Sequence, residues 1–134
     1  ACIYTPDATA RTYALLARHA RSIAGAGYPV IIDATFLKHA QRAAFRALAH
    51  ELGVPFMIAN FTAPPEVLRA RVAARAAQGG DASEAELAVL EAQIATHEAL
   101  TADERGLAVA TDVRGDPAAG ARALCDALTQ RLKR

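Results

Sequence analysis

Asp33 stands at a place where an acid can do chemistry, because it ends an apolar run. In PVIIDATF, residues 29–36, the run Val30-Ile31-Ile32 is typical of a strand buried on both faces, and it stops at the Asp33 carboxylate. In parallel sheets, ligands bind in the crevice outside the carboxyl ends of the strands. An acid at that end is expected to face a crevice. The alternative is that Asp33 only caps the following turn.

Two arginines form a second pattern. Arg71 and Arg75 are four residues apart, so they share one face of a predicted helix, and Gly79-Gly80 follows. Arg69 lies off that face and is expected to be solvated. The alternative for the pair is an ordinary solvent-exposed helix face.

Helices and strands that alternate along the chain must position these residues. Apolar residues at helical spacing, proline and capping residues at helix starts, and glycines at helix ends mark the elements. In order, they are a helix after Thr5-Pro6-Asp7, a strand at 30–34, a helix closed by Gly53, a strand at 55–61, a helix within TAPPEVLRARVAAR, a helix from Ser83 with Glu86 in a capping box, a strand at 107–110 and a helix from Asp116. This order predicts an α/β fold, a parallel sheet covered by helices, in a single domain over residues 1–134.

Composition excludes several classes. The 134 residues carry a formal net charge of +1, with no footprint for nucleic acid and no apolar run long enough to cross a membrane. Cys2 and Cys125 form no disulfide framework, and the histidines show no metal-ligand spacing. We therefore expect a cytoplasmic protein with neither a membrane nor a nucleic-acid partner and without a metal site of its own.

Several segments, taken in order, resemble the later part of zeta-toxin-like and gluconate-kinase-like P-loop kinases. The similarity is greatest to the ATP-binding kinase domain often fused behind an aminoglycoside-phosphotransferase-like domain, and it runs from Tyr4 to about Asp112. The segments are YTPDATARTYALLARHA, VIIDATFLKHAQRAAFRALA, LGVPF, LRARVAARAAQGGDASEAELAVLEAQ and LAVATD. The resemblance implies an ATP-dependent phosphotransferase, with ATP and Mg²⁺ as cofactors.

One motif of these kinases does not occur in the 134 residues. The phosphate-binding G-x-x-x-x-G-K-[ST] is absent, and neither lysine, Lys38 or Lys133, follows a glycine. In the family that loop follows a first strand, which lies between the strands matching 30–34 and 56–61. We therefore expect a partial kinase fold in which these two strands are parallel but not directly paired. An upstream segment or a second copy would complete the sheet, and the chain alone should be inactive.

The resemblance also implies roles for the two patterns. Asp33 would orient the acceptor hydroxyl or take its proton. Arg71 and Arg75 would be catalytic and would contact the ATP phosphates, as part of a closing lid at about 69–97.

Further contacts are expected close to Asp33. Thr35, Lys38 and Arg42 would bind an anionic acceptor or help to bind the phosphates. Lys38 and Arg42 are equally well explained as helix-surface residues, since Arg42 shares a polar face with Arg46 and His50. At the lid, Asp81 and Ser83 are expected to cap the second helix.

Two function classes stay open. The first is a small-molecule kinase. The second is a catalytically silent remnant or interaction module that kept the fold without the phosphate cradle. The acceptor has no signature, since related folds phosphorylate sugars, nucleic-acid ends and antibiotics.

Overall fold

The computed structural model describes residues 6–79, 83–112 and 116–133. The chain divides into two compact units, Ala1–Phe56 and Met57–Arg134. No helix in the described ranges is long and apolar enough to cross a membrane.

The first unit is a pair of helices, α1 (Pro6–Gly25) and α2 (His39–Glu51). Its core consists of Ala20, Phe45 and Leu48, and half-buried apolar side chains pack around it, among them Leu52. The stripe predicted for α2 is therefore confirmed. Beyond the end of α2, Gly53 adopts a φ of 65°, the left-handed conformation that glycine accepts without steric cost.

An ion pair also joins the two helices. Arg21 donates from Nη1 and Nη2 to the two carboxylate oxygens of Glu51, at 2.8 and 2.7 Å. This bond raises the pKa of Arg21 and lowers the pKa of Glu51.

The segment between the helices corrects one prediction. Residues 30–34 were expected to form a strand buried on both faces, but they form no strand and Ile31 is 95 % exposed. Val30 and Ile32 do pack against the core, so the alternation of a strand is present. A strand exists only where a neighbouring backbone supplies its hydrogen bonds, and within the described ranges the sheet consists of two other strands.

The second unit holds the sheet. Strands β1 (Ile58–Thr62) and β2 (Ala108–Asp112) pair in parallel, with Ile58 opposite Ala108 and Thr62 opposite Asp112. The connection between them contains α3 (Pro65–Gly79), α4 (Ser83–Thr96) and α5 (Ala102–Leu107). Both predicted strands are thus confirmed with shifted ends, as is the parallel α/β class. The parallel, unpaired arrangement of 30–34 and 56–61 stays a prediction.

Helix α5 was not predicted. Thr101 and Glu104 form a capping box, in which the Thr101 N–H donates to Glu104 Oε2 at 2.9 Å and the Glu104 N–H donates to Thr101 Oγ1 at 3.3 Å. At the other end of the helix, Arg131 donates to the carbonyl oxygens of Leu107 and Gly106. Arg131 thus supplies hydrogen bonds to carbonyl oxygens that have no partner within the short helix.

The last helix, α6 (Pro117–Leu132), lies against β2. It begins as predicted at Asp116, whose carboxylate accepts from the Ala118 and Ala119 N–H groups. The approach to β2 is close: a Cβ built on Gly120 would stand 2.9 Å from Thr111 Cγ2.

Candidate functional site

The loop that carries Asp33 and Thr35 turns at Phe36. Phe36 has a φ of 45° and is the one non-glycine residue with positive φ in the described ranges. An L-residue with a bulky side chain rarely adopts this conformation. Such strain persists only where the surrounding structure fixes it, and it clusters at functional sites.

Two side chains hold the Phe36 backbone from opposite ends of the residue. The Phe36 N–H donates to the Tyr13 hydroxyl oxygen at 2.9 Å, and Arg42 Nη1 donates to the Phe36 carbonyl oxygen at 2.9 Å. The Phe36 ring stands edge-on to the rings of Tyr13 and Phe45, each with centroids 5.3 Å apart. Backbone and ring are therefore both fixed by α1 and α2.

Arg42 is not on a solvated helix face. It is 5 % exposed, whereas Arg46 and His50 are exposed. The polar face that Arg42 was expected to share with them is thus wrong for this residue. A buried guanidinium needs hydrogen-bond partners. The carbonyl oxygen of Phe36 is one of them, since it accepts a hydrogen bond from Arg42 Nη1.

The side chains of Asp33 and Thr35 are exposed beside this fixed point. Thr35 Oγ1 lies 3.5 Å from the Tyr13 hydroxyl oxygen. The Asp33 carboxylate makes no hydrogen bond or ion pair with any residue that the structure describes, so the turn-capping alternative is not observed. Both groups are open to a ligand.

Lys38 precedes α2 and is half-buried. Its backbone N–H donates to Gln41 Oε1 at 3.0 Å. The first unit thus brings Asp33, Thr35, Lys38 and Arg42 into one loop and the helix turn that follows it, with Arg42 on the buried side.

The predicted lid is the pair α3 and α4. Arg75 donates from Nε and Nη2 to Glu86 Oε2, at 3.3 and 3.1 Å, and both Arg71 and Arg75 are exposed. The capping box expected for Ser83 and Glu86 stays a prediction, and the carboxylate of Glu86 binds Arg75. The side chains of Asp81 and Ser83 lie outside the described residues.

Arg69 is exposed, as expected, and it also has a partner that was not predicted. It donates from Nε and Nη2 to the two oxygens of Glu91, at 2.5 and 3.0 Å. That hydrogen bonding raises the pKa of Arg69 and lowers the pKa of Glu91. The two ion pairs, at Arg69 and Arg75, tie α3 to α4.

The two expected cofactors, ATP and Mg²⁺, differ in how the described residues could hold them. Exposed guanidinium groups at Arg71 and Arg75 suit the outer phosphate oxygens of a nucleotide. Across the described ranges, no group of His, Cys, Asp and Glu side chains could hold a metal ion. The two arginines therefore fit part of an ATP phosphate site, and a Mg²⁺ ion would be held mainly by the phosphates of bound ATP, as is usual for this ion.

The contacts of Tyr13 with the loop and of Glu86 with Arg75 were not predicted from the sequence. The Tyr13 hydroxyl reaches a loop 23 residues away, and no local pattern signals such a contact. Glu86 had a signal, since acids on a helix that follows an arginine-bearing helix and a glycine break can pair across the hairpin.

Comparison with known proteins gives one match. The family model described as AAA domain matches residues 3–100, more than half of the chain. Neither a curated protein nor a solved structure matches it. AAA-type P-loop domains bind nucleotide, and the α/β architecture with its parallel strands is consistent with a partial P-loop NTPase fold. The chain belongs to this AAA domain family, a P-loop NTPase-like family of kinase type.

Proposed function

We propose that this chain supplies the acceptor side and the arginine lid of an ATP-dependent small-molecule kinase, related to the zeta-toxin-like and gluconate-kinase-like enzymes. ATP supplies the phosphoryl group when it is bound. The setting is taken to be cytoplasmic.

The observation that carries the proposal is the exposed, unpaired carboxylate of Asp33 beside a backbone turn fixed by Tyr13 and Arg42. A carboxylate held at a fixed turn can accept a hydrogen bond from an acceptor hydroxyl and take its proton as that oxygen attacks. Thr35 offers a second hydroxyl contact and Lys38 an ammonium contact on the same loop. Asp33 has no partner among the described residues, so its carboxylate is available to a ligand.

The lid is the second part of the proposal. Arg71 and Arg75 would place planar guanidinium groups on phosphate oxygens and stabilise charge that develops in phosphoryl transfer. Arg75 now binds Glu86. For Arg75 to bind a phosphate group, that group must displace the carboxylate of Glu86.

The phosphate cradle must come from another segment. The 134 residues contain no G-x-x-x-x-G-K-[ST], and backbone N–H groups of such a loop supply most phosphate contacts in P-loop proteins. We infer that an upstream segment provides it. That segment, or a second copy of the chain, would also supply a strand beside residues 30–34, where Ile31 is 95 % exposed.

A second candidate is the interaction module without catalysis. The missing cradle motif favours it, since a domain can keep its fold after losing the chemistry. The two candidates differ in one property, the transfer of phosphate.

Label transfer from γ-labelled ATP in the complete natural polypeptide tests the proposal. Sugars, nucleic-acid 5′ or 3′ ends and aminoglycosides serve as acceptors in separate reactions, and products are separated by chromatography. Label on a sugar or an aminoglycoside supports the small-molecule kinase, whereas label on a nucleic-acid end alone contradicts the small-molecule acceptor. Nucleotide binding without transfer to any of the three classes contradicts it and favours the module.

A further inference from the structure

Arg42 is a buried arginine near the start of a helix. It lies in the first turn or two of α2 (His39–Glu51), near the positive end of the helix dipole, and it is 5 % exposed. Cations are favourable at the opposite end of a helix, and an arginine is rarely buried. Residues that break local rules are expected where function requires them.

What the buried guanidinium gains is the Phe36 carbonyl. Arg42 Nη1 lies 2.9 Å from that oxygen, and a hydrogen bond from a charged donor is stronger than one between neutral groups. Phe36 is held at a φ of 45°, a conformation that needs such support. On the amide side, the Tyr13 hydroxyl accepts the Phe36 N–H at 2.9 Å.

Tyr13 and Arg42 thus form a clamp on the backbone of Phe36. This clamp lies next to the exposed side chains of Asp33 and Thr35. Tyr13 lies 3.5 Å from Thr35 Oγ1, and Thr35 directly precedes Phe36. Asp33 is two residues further upstream. Fixing the backbone of Phe36 therefore limits where Thr35 and Asp33 can point, since little chain separates them.

We propose that Arg42, with Tyr13, is a positioning residue that locks Phe36 in its left-handed conformation and so aims Asp33 and Thr35 at the phosphate acceptor. Arg42 does not bind the acceptor itself, because its side chain is buried and donates to the loop. The role in turnover rests on the proposed kinase function, whereas the clamp itself does not.

Amide exchange tests the clamp without any substrate. In the complete polypeptide, the Phe36 amide is followed by NMR in wild type, Arg42→Met, Tyr13→Phe and Arg46→Met. Arg42→Met keeps the apolar stem and removes the donors, and Tyr13→Phe removes only the hydroxyl. Each is expected to lower protection of the Phe36 amide by about tenfold, the loss of one charged or buried hydrogen bond. The exposed Arg46→Met is the matched control and should leave it unchanged.

A localised effect separates the clamp from general loosening. The Leu52 amide, which donates to Leu48 at the other end of α2, should keep its protection in every variant. Unchanged protection of Phe36 in both Arg42→Met and Tyr13→Phe would overturn the clamp.

Kinetics test the positioning role. With the acceptor found by label transfer, Arg42→Met should lower kcat by about tenfold to a hundredfold per folded molecule, the cost of a small misplacement of a reacting group, with the KM for ATP within about twofold. Arg42→Lys retains a charged donor group, the ammonium, and should recover part of the kcat that Arg42→Met loses. Altered Phe36 exchange with unchanged kcat would overturn the positioning role. Absence of transfer in wild type would overturn the proposed function and the role together, while exchange still decides the clamp.

Discussion

Arg75 and Glu86 form an ion pair that closes the hairpin of α3 and α4, with Nε and Nη2 of Arg75 on one carboxylate oxygen. Both side chains keep access to solvent, at 69 % and 38 % exposure. An exposed pair of this kind is weak, so phosphate can displace the carboxylate. Glu86 therefore occupies the guanidinium of Arg75, the proposed lid residue, until a phosphate replaces it.

Replacing either lid arginine tests this part of the account. Arg71→Ala and Arg75→Ala are expected to lower kcat much more than they weaken ATP binding, because contacts made in the transition state act on rate. Arg→Lys at either position should also impair turnover, since one ammonium cannot reproduce a planar fork. Steady-state kinetics of the complete polypeptide decide it. Turnover at the wild-type level in all four variants would remove the lid from the mechanism.

Freeing Arg75 should have the opposite effect on binding. Glu86→Gln removes the competing charge, so the KM for ATP is expected to fall by at most about fivefold, the size of an exposed ion pair. Glu91→Gln is the matched control, since it releases Arg69 instead of Arg75. If both substitutions change the KM equally, Arg75 has no special access to the nucleotide.

The pH dependence of stability follows from the pair between α1 and α2. Arg21 lowers the pKa of Glu51 below its ordinary value of 4.5, so the pair stabilises the fold above about pH 4.5 and its contribution is lost as the pH falls through the lowered pKa. Urea unfolding followed by circular dichroism should show a midpoint that declines less below pH 4.5 in Glu51→Gln. In an Arg21→Gln background, Glu51→Gln should no longer alter the slope. A slope that still changes there would assign it to another group.

A buried hydroxyl gives a stability prediction in the second unit. Thr111 Oγ1 is buried without a hydrogen-bond partner in the described part of the chain. Thr111→Val replaces it with a methyl group of similar shape and is expected to stabilise by about 1 kcal/mol, measured as a higher Tm. A lower Tm for Thr111→Val would mean that the hydroxyl is satisfied in solution.

Gly120 provides the companion test. In an ordinary helix, Gly→Ala stabilises by about 0.5–1 kcal/mol, but here the new methyl would stand 2.9 Å from Thr111 Cγ2. Gly120→Ala should therefore gain little alone and more in a Thr111→Ser background, where that methyl is gone. Equal effects in both backgrounds would show that α6 shifts to make room.

Local signals in the sequence were sufficient for several elements. The stripe of α2, its end at Gly53 and the start of α6 at Asp116 depend on residues within a few positions of one another, and all three are observed. The family resemblance likewise identified the P-loop class that the AAA domain match bears out.

What failed depends on partners distant in sequence. The apolar run Val30-Ile31-Ile32 has the composition of a strand, yet a strand requires a neighbour, and Ile31 lies open instead. The burial of Arg42 accompanies its bond to the carbonyl of Phe36, whose φ of 45° no local pattern signals. The pair between Arg69 and Glu91 was not predicted, because Glu91 comes 22 residues later.

The transfer of phosphate by wild type and Asp33→Asn decides whether Asp33 acts on the acceptor hydroxyl. The asparagine keeps the size of the side chain and loses the charge that accepts a proton, so kcat in the complete polypeptide is expected to fall by about 10²–10⁴-fold. The same change at the exposed Asp126 of α6 should leave kcat unaltered. Equal turnover in Asp33→Asn and Asp126→Asn would contradict the assignment of Asp33 to the acceptor.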